Sequence, residues 1–123
     1  MIKLTYCLRR RADMTWDEFS TYWRDTHAPL VAERADVLGI RRYVQVRTAP
    51  VPELHSAFQA RNSGSPEPFD GIAELWFDSL DQFLQPQSPE GLQASAELLA
   101  DERNFIDLPT SPIWLGDETV VVP

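Results

Sequence analysis

With 123 residues and 43% apolar side chains, among them four tryptophans, three tyrosines and six phenylalanines, the chain is long enough for one domain around one core and too apolar to stay disordered. A formal charge of −8 argues against nucleic acid and anionic membrane as partners and otherwise serves solubility. A single cysteine, Cys7, excludes an internal disulfide and any multi-thiolate metal site.

The N-terminus, MIKLTYCLRRR, has only short apolar stretches before a basic run. It reads as neither signal peptide nor membrane span, so a cytoplasmic protein is the expectation. Ile2 to Arg9 alternates Ile2, Leu4, Tyr6 and Leu8 with Lys3, Thr5, Cys7 and Arg9, which is the period of a strand. Arg9, Arg10 and Arg11 close it as a solvated loop.

The densest stretch of chemistry follows, Thr15 to Leu30. Thr15 and Glu18 make a capping box that starts a helix. Phe19, Trp23 and His27 recur every four residues and so share one stripe. Pro29 cannot sit in a helix interior without removing a hydrogen bond. A kink is therefore expected near His27, with a second helical segment from Pro29 to about Asp36 and a stop at Leu38–Gly39. The kink would leave carbonyls from Trp23 to Asp25 short of donors, making a polar notch beside His27.

Ile40 to Thr48 reads as the second strand, with Ile40, Arg42, Val44 and Val46 on one face and Arg41, Tyr43, Gln45 and Arg47 on the other. Ala49 to Pro68 is a long connection with four prolines. Leu54, Ala57, Phe58 and Arg61 have helical spacing within it, and such connections serve as lids, partner contacts or mobile decoration. Phe69 to Phe77 is the third strand, with Gly71, Ala73, Leu75 and Phe77 under the helices and Asp70, Ile72, Glu74 and Trp76 on the other face. Glu74, flanked by Ile72 and Trp76, needs a partner or a raised pKa.

Ser79 and Gln82 open a short helix through Leu84. Ser88 and Pro89 begin another, for which Leu92, Ala96 and Leu99 read as the buried stripe and Glu90, Glu97, Asp101 and Glu102 as the wet side. Phe105–Ile106 anchors the following turn. Pro112 to Leu115 and Glu118 to Val122 are strand candidates, and Val120–Val122 is apolar enough to call for a pairing partner such as another subunit.

This order of elements is the ferredoxin-like split β-α-β arrangement, an α+β fold with a four-stranded antiparallel sheet and helices on one face. The opposite sheet face, expected to carry Tyr43, Glu74 and Trp76, would form a large half-apolar patch. Pairing two sheets face to face covers it, which predicts a twofold homodimer. The pocket would lie between sheet and kinked helix or between the two sheets.

The segments WDEFSTYW, DTHAPLV, GIRRYV and DGIAELWFDS, in this order, resemble the EthD family within the dimeric α+β barrel superfamily. The resemblance covers roughly half the chain, three strands and the first helix, and it implies the ferredoxin-like fold, a dimer and a small-molecule pocket. The family takes its name from a degradative gene cluster for a fuel ether, where members accompany a monooxygenase system. Fungal relatives resemble dehydratases and decarboxylases of aromatic polyketide pathways. Other barrels of the superfamily include cyclases, cofactor-free monooxygenases and lactone isomerases.

His27 is the candidate general acid or base, its ordinary pKa lying near neutrality; the alternative is a histidine that satisfies the helix carbonyls. Glu74 is the candidate that orients His27, or else it pairs with an arginine such as Arg42 or Arg47. Tyr22, Trp23, Tyr43 and Trp76 are candidates to line an aromatic substrate pocket, or are plain core. His55, in the long connection, is expected in solvent. No metal-ligand spacing, glycine-rich phosphate loop or serine nucleophile elbow occurs, so neither metal nor cofactor is expected. The expected function is a cofactor-independent enzyme moving a proton on a small apolar aromatic or cyclic substrate. The reaction would be a cyclisation, dehydration or isomerisation in a degradative or secondary-metabolite pathway. The alternative is a non-catalytic binding or accessory protein for a hydrophobic metabolite, such as one supporting a monooxygenase system.

Overall fold

The computed structural model describes residues 1–123. Four strands, β1 (Ile2–Leu8), β2 (Arg42–Arg47), β3 (Gly71–Phe77) and β4 (Ile113–Asp117), form one antiparallel sheet in the order β2-β3-β1-β4. With α1 (Trp16–Tyr22), α2 (Ala28–Leu38) and α5 (Pro89–Glu102) on one side, this is the ferredoxin-like α+β fold. The two short helices α3 (Pro52–Arg61) and α4 (Leu80–Phe83) lie in the connections flanking β3.

The register separates two sheet faces, because cross-strand partners share a face. Tyr6 pairs with Ala73 and Ile113, and Leu75 with Tyr43; these side chains turn toward the helices. Thr5 pairs with Glu74 and Trp114, and Trp76 with Lys3 and Arg42; these turn away. The core between sheet and helices gathers Leu8, Phe19, Trp23, Ala73, Phe105 and Ile106 at one end, and Ile2, Val31, Ile40 and Phe77 at the other. Gly71 begins β3 because Trp23 lies over it: a Cβ there would come within 2.5 Å of the indole Cζ3.

The capping box forms as the sequence predicts, with the Glu18 amide donating to Thr15 Oγ1 at 3.1 Å and the Thr15 amide to Glu18 Oε1 at 3.0 Å. Pro29 does not split the helix. Its missing donor is absorbed by a single wide π turn over Trp23–His27, through which α1 runs into α2. The Trp23 carbonyl is not left short: it accepts from the Ala28 amide and from Gln45 Nε2 at 2.9 Å. Gly39, at φ +73, then ends α2. Arg10 is not a free loop charge; its guanidinium pairs with Asp70 at 2.6 Å and ties the end of β1 to the start of β3.

Three expectations are corrected. Tyr43 stands on the helix-covered face of the sheet, with Gln45 and Arg47 beneath the π turn, where Gln45 Nε2 donates to the Tyr43 hydroxyl at 2.9 Å and Arg47 Nε to Ser20 Oγ at 3.0 Å. A polar face was compatible with burial here because the widened helix turn offers partners for it. On α5 the buried positions are Gly91 and Ala94, with Leu98 half-buried, while Leu92 and Leu99 are 59% and 41% exposed. The small residues let α5 approach α2 closely, and this rotation turns Asp101 and Glu102 inward. Glu118 to Val122 forms no strand, and Val120, Val121 and Val122 are exposed.

Candidate functional site

His27 closes the π turn and is 6% exposed. Its Nδ1 lies 2.7 Å from Asp101 Oδ2. The other carboxylate oxygen accepts from the Tyr22 hydroxyl at 2.6 Å and from Asn104 Nδ2 at 3.3 Å. An ionised carboxylate can only accept, so Nδ1 carries the ring proton and Nε2 holds the lone pair. Phe105 packs on the ring at 4.9 Å between centroids. Burial pushes the His27 pKa below its ordinary value, against the pull of the hydrogen bond and charge of Asp101. Burial would raise Asp101, but the bonds from Tyr22, His27 and Asn104 hold it below the usual carboxylate range. At neutral pH the pair is thus a neutral imidazole on an ionised carboxylate, a base with a fixed tautomer.

Nε2 takes no bond from the protein, and the His27 ring lines a partly open hollow of about 140 Å³. The hollow lies between sheet and helices; Tyr6, Trp23, His27, Tyr43, Leu98 and Glu102 are in its wall, and the rest is mainly aliphatic. An apolar cavity of ~150 Å³ accommodates a benzene ring, so this one matches a single small ring. A larger, open groove of about 620 Å³ runs past Gly39 and Phe83, but no histidine or buried carboxylate reaches it.

Of the sequence-predicted residues, His27, Trp23 and Tyr43 come together at the hollow. Tyr22 stands one layer behind, on Asp101. Trp76 and Glu74 lie on the opposite face of the sheet. There Glu74 pairs with Lys3 at 2.7 Å, rather than with Arg42 or Arg47, and the Trp76 ring is flanked by Lys3 and Arg42. The strand period of two decides this: a residue between Ala73 and Leu75 must face away from them, and so Glu74 cannot orient His27. His55 is half-buried in the long connection, with Nε2 against the Ala49 carbonyl at 2.5 Å.

Sequence reading missed Asp101, Glu102, Tyr6 and Asn104. Asp101 carried a usable signal: it lies four residues before Phe105 and seven after Ala94, on one helical stripe with two small or apolar residues.

The shifts have a consequence for folding. His27 and Asp101 both bind protons less readily when folded, so their stabilisation is complete above their ordinary pKa values of 6.5 and 3.8 and is lost as pH falls through the lower folded ones. Glu102 is raised above 4.5, chiefly by burial, and works in the opposite sense, its stabilisation fading as pH rises. Between pH 7 and pH 5 His27 lowers stability while Glu102 raises it, so His27→Gln is expected to shift the balance in urea unfolding toward greater stability at pH 5 relative to pH 7 than the wild type shows.

No helix is long and apolar enough to cross a membrane. The fold is similar to that of an ethyl tert-butyl ether D (EthD) family protein from Bacillus halodurans, at 21% identity over 97% of this chain and 99% of that one, with a TM-score of 0.58. It is similar also to a dimeric protein of unknown function and ferredoxin-like fold from Bacteroides fragilis, at 17% identity over 95% of each chain and a TM-score of 0.53. HapK from Hahella chejuensis resembles it at 10% identity over 97% of this chain and 93% of that one, with a TM-score of 0.58. The chain matches no curated protein. Residues 11–109 match the EthD domain, a span that contains the π turn, strands β2 and β3, and the His27–Asp101 pair; the chain belongs to the EthD family.

Proposed function

We propose that the protein is a cofactor-independent enzyme that moves a proton on a small, uncharged cyclic substrate held in the hollow, with His27 Nε2 as the base. The observation that carries this is the Asp101 carboxylate 2.7 Å from Nδ1, which directs the lone pair into an apolar space of about one ring. A base dissolved in water gains little from such orientation; against a substrate held in a preformed pocket, fixed geometry is worth several orders of magnitude in rate. The aliphatic wall by itself would also suit a second reading, in which the protein binds a hydrophobic metabolite without converting it.

The two readings separate with one probe. Cyclohexanone in heavy water exchanges the hydrogens next to its carbonyl when a base removes them, and proton NMR follows the loss. The wild-type protein is expected to accelerate this exchange over buffer, and His27→Ala to abolish the acceleration. Quenching of tryptophan fluorescence by cyclohexanone, Trp23 being in the wall, without any exchange would favour binding alone.

We also propose that two copies pair through the outer sheet faces. The support is the composition of that face: Trp114 and Val46 are 51% and 43% exposed on the same sheet face as Trp76, on a fold for which one similar protein is described as dimeric. Exposed aromatic and branched side chains on one sheet face are typical of an interface.

A further inference from the structure

The hollow has a second polar end. Tyr6 stands at the middle of β1, between Ala73 on β3 and Ile113 on β4; because Ala73 is small, the phenol has open space beside it rather than a packed neighbour. Glu102 is the last residue of α5. Consecutive helical residues diverge by about 100°, so Asp101 turns to His27 while Glu102 shares the wall of the hollow with Tyr6.

Glu102 is the anomaly. It is only partly accessible and forms no ion pair, whereas every arginine that pairs on this protein does so with another carboxylate. A carboxyl in a hydrocarbon wall without a cation is costly as an anion and is commonly kept for its proton. Burial raises its pKa, as does the neighbouring charge of Asp101, while Tyr6 and Arg103 pull it down. Burial keeps Tyr6 protonated. His27 from the π turn and Tyr43 from β2, the latter engaged with Gln45, line the same hollow.

We infer that Tyr6 and Glu102 form the oxygen-binding end of this site, opposite His27, and that the substrate is an enolisable cyclic ketone of about one ring. The inference rests on the proton-transfer reading of His27 and adds the chemistry of the other end. Nε2 takes a proton from the carbon next to the carbonyl, and the C–H electron pair becomes a carbon–carbon double bond. The carbonyl π pair moves to oxygen, which receives the Tyr6 proton as Glu102 gives its own to the Tyr6 oxygen. Where the ring also carries a carbon–carbon double bond β,γ to the carbonyl, the enol formed is a dienol; return of the His27 proton to its γ-carbon shifts that double bond into conjugation, and the oxygen's proton passes back through Tyr6 to Glu102, which completes an isomerisation with no net oxidation. Donors aimed at a developing oxyanion in a dry site supply a large part of such a barrier reduction.

The test is the pH profile of cyclohexanone exchange in heavy water. The wild-type profile is expected to be bell-shaped, falling on its lower-pH side as His27 is protonated and on its higher-pH side as Glu102 loses its proton. Glu102→Gln keeps a donor that does not titrate, so the higher-pH limb should vanish while the acid limb stays. Tyr6→Phe should lower the rate about a hundredfold while keeping the acid limb. A purely structural role for either residue would change the rate without changing the shape of the profile in Glu102→Gln, and that result overturns the inference. If His27→Ala abolishes exchange but Glu102→Gln and Tyr6→Phe match the wild type, the Tyr6–Glu102 assignment fails alone. If the wild type gives no exchange, or His27→Ala retains it, the reading of His27 fails and this inference with it.

Discussion

Asp101→Asn is expected to lower the His27-dependent exchange of cyclohexanone by up to about ten-thousandfold, the scale reached when a carboxylate that orients a catalytic imidazole becomes an amide. The substitution preserves shape, and the amide oxygen can still accept from Tyr22. Its NH2 group, however, can now donate to Nδ1. That places the ring proton on Nε2 and removes the lone pair from the hollow. The acid limb should also move. Burial lowers the His27 pKa while the Asp101 bond and charge raise it; with the charge gone, burial acts unopposed and the limb shifts to lower pH. A rate within about twofold of the wild type, or an acid limb that moves upward, would show that Asp101 does not set the tautomer.

The largest stability effect is expected at Phe105. This ring is fully buried and meets Phe19 at 5.8 Å, Tyr22 at 5.0 Å and His27 at 4.9 Å between centroids. It joins the core to the layer behind the site. Phe105→Ala should cost about 3–5 kcal/mol in urea unfolding, since the hole is enclosed by two helices and the sheet and cannot close over. Leu92→Ala, by contrast, should cost less than about 0.5 kcal/mol, because that leucine faces solvent. Reversal of this order would mean that α5 presents its other face to the core.

The contrast between Leu92 and Phe105 marks where sequence reading stops. On α5 two stripes satisfy the helical period equally well: Leu92, Ala96 and Leu99, or Gly91, Ala94 and Leu98, the second leading on to Phe105 in the turn after the helix. Hydrophobicity favours the first. Close packing of α5 on α2 selects the second, because glycine and alanine permit approach where leucine does not. Asp101 and Glu102 follow that rotation inward, and the hydrogen bonds of Tyr22, His27 and Asn104 offset the cost of burying Asp101. Glu74 failed in the opposite way. Its flanking apolar residues were read as burial in a site, although strand alternation already put it on the face away from Ala73 and Leu75, where Lys3 answers its charge.

Local order was legible in the linear chain. Alternating side chains on β1 and β3, the Thr15–Glu18 cap, the histidine beside Pro29 and the glycine ending α2 are consequences of period, donor count and backbone freedom within a few residues, and they specify the elements and their sequence. They also bring Phe19, Trp23 and His27 onto one helical face without reference to the rest of the molecule. What the imidazole meets there was decided by tertiary structure alone. Asp101 is 74 positions away from it, and no local pattern encodes the angle at which α5 settles on α2. That angle follows from how small and large side chains mesh across the whole core, and it turns an apparently solvated carboxylate pair into the partners of a buried ring.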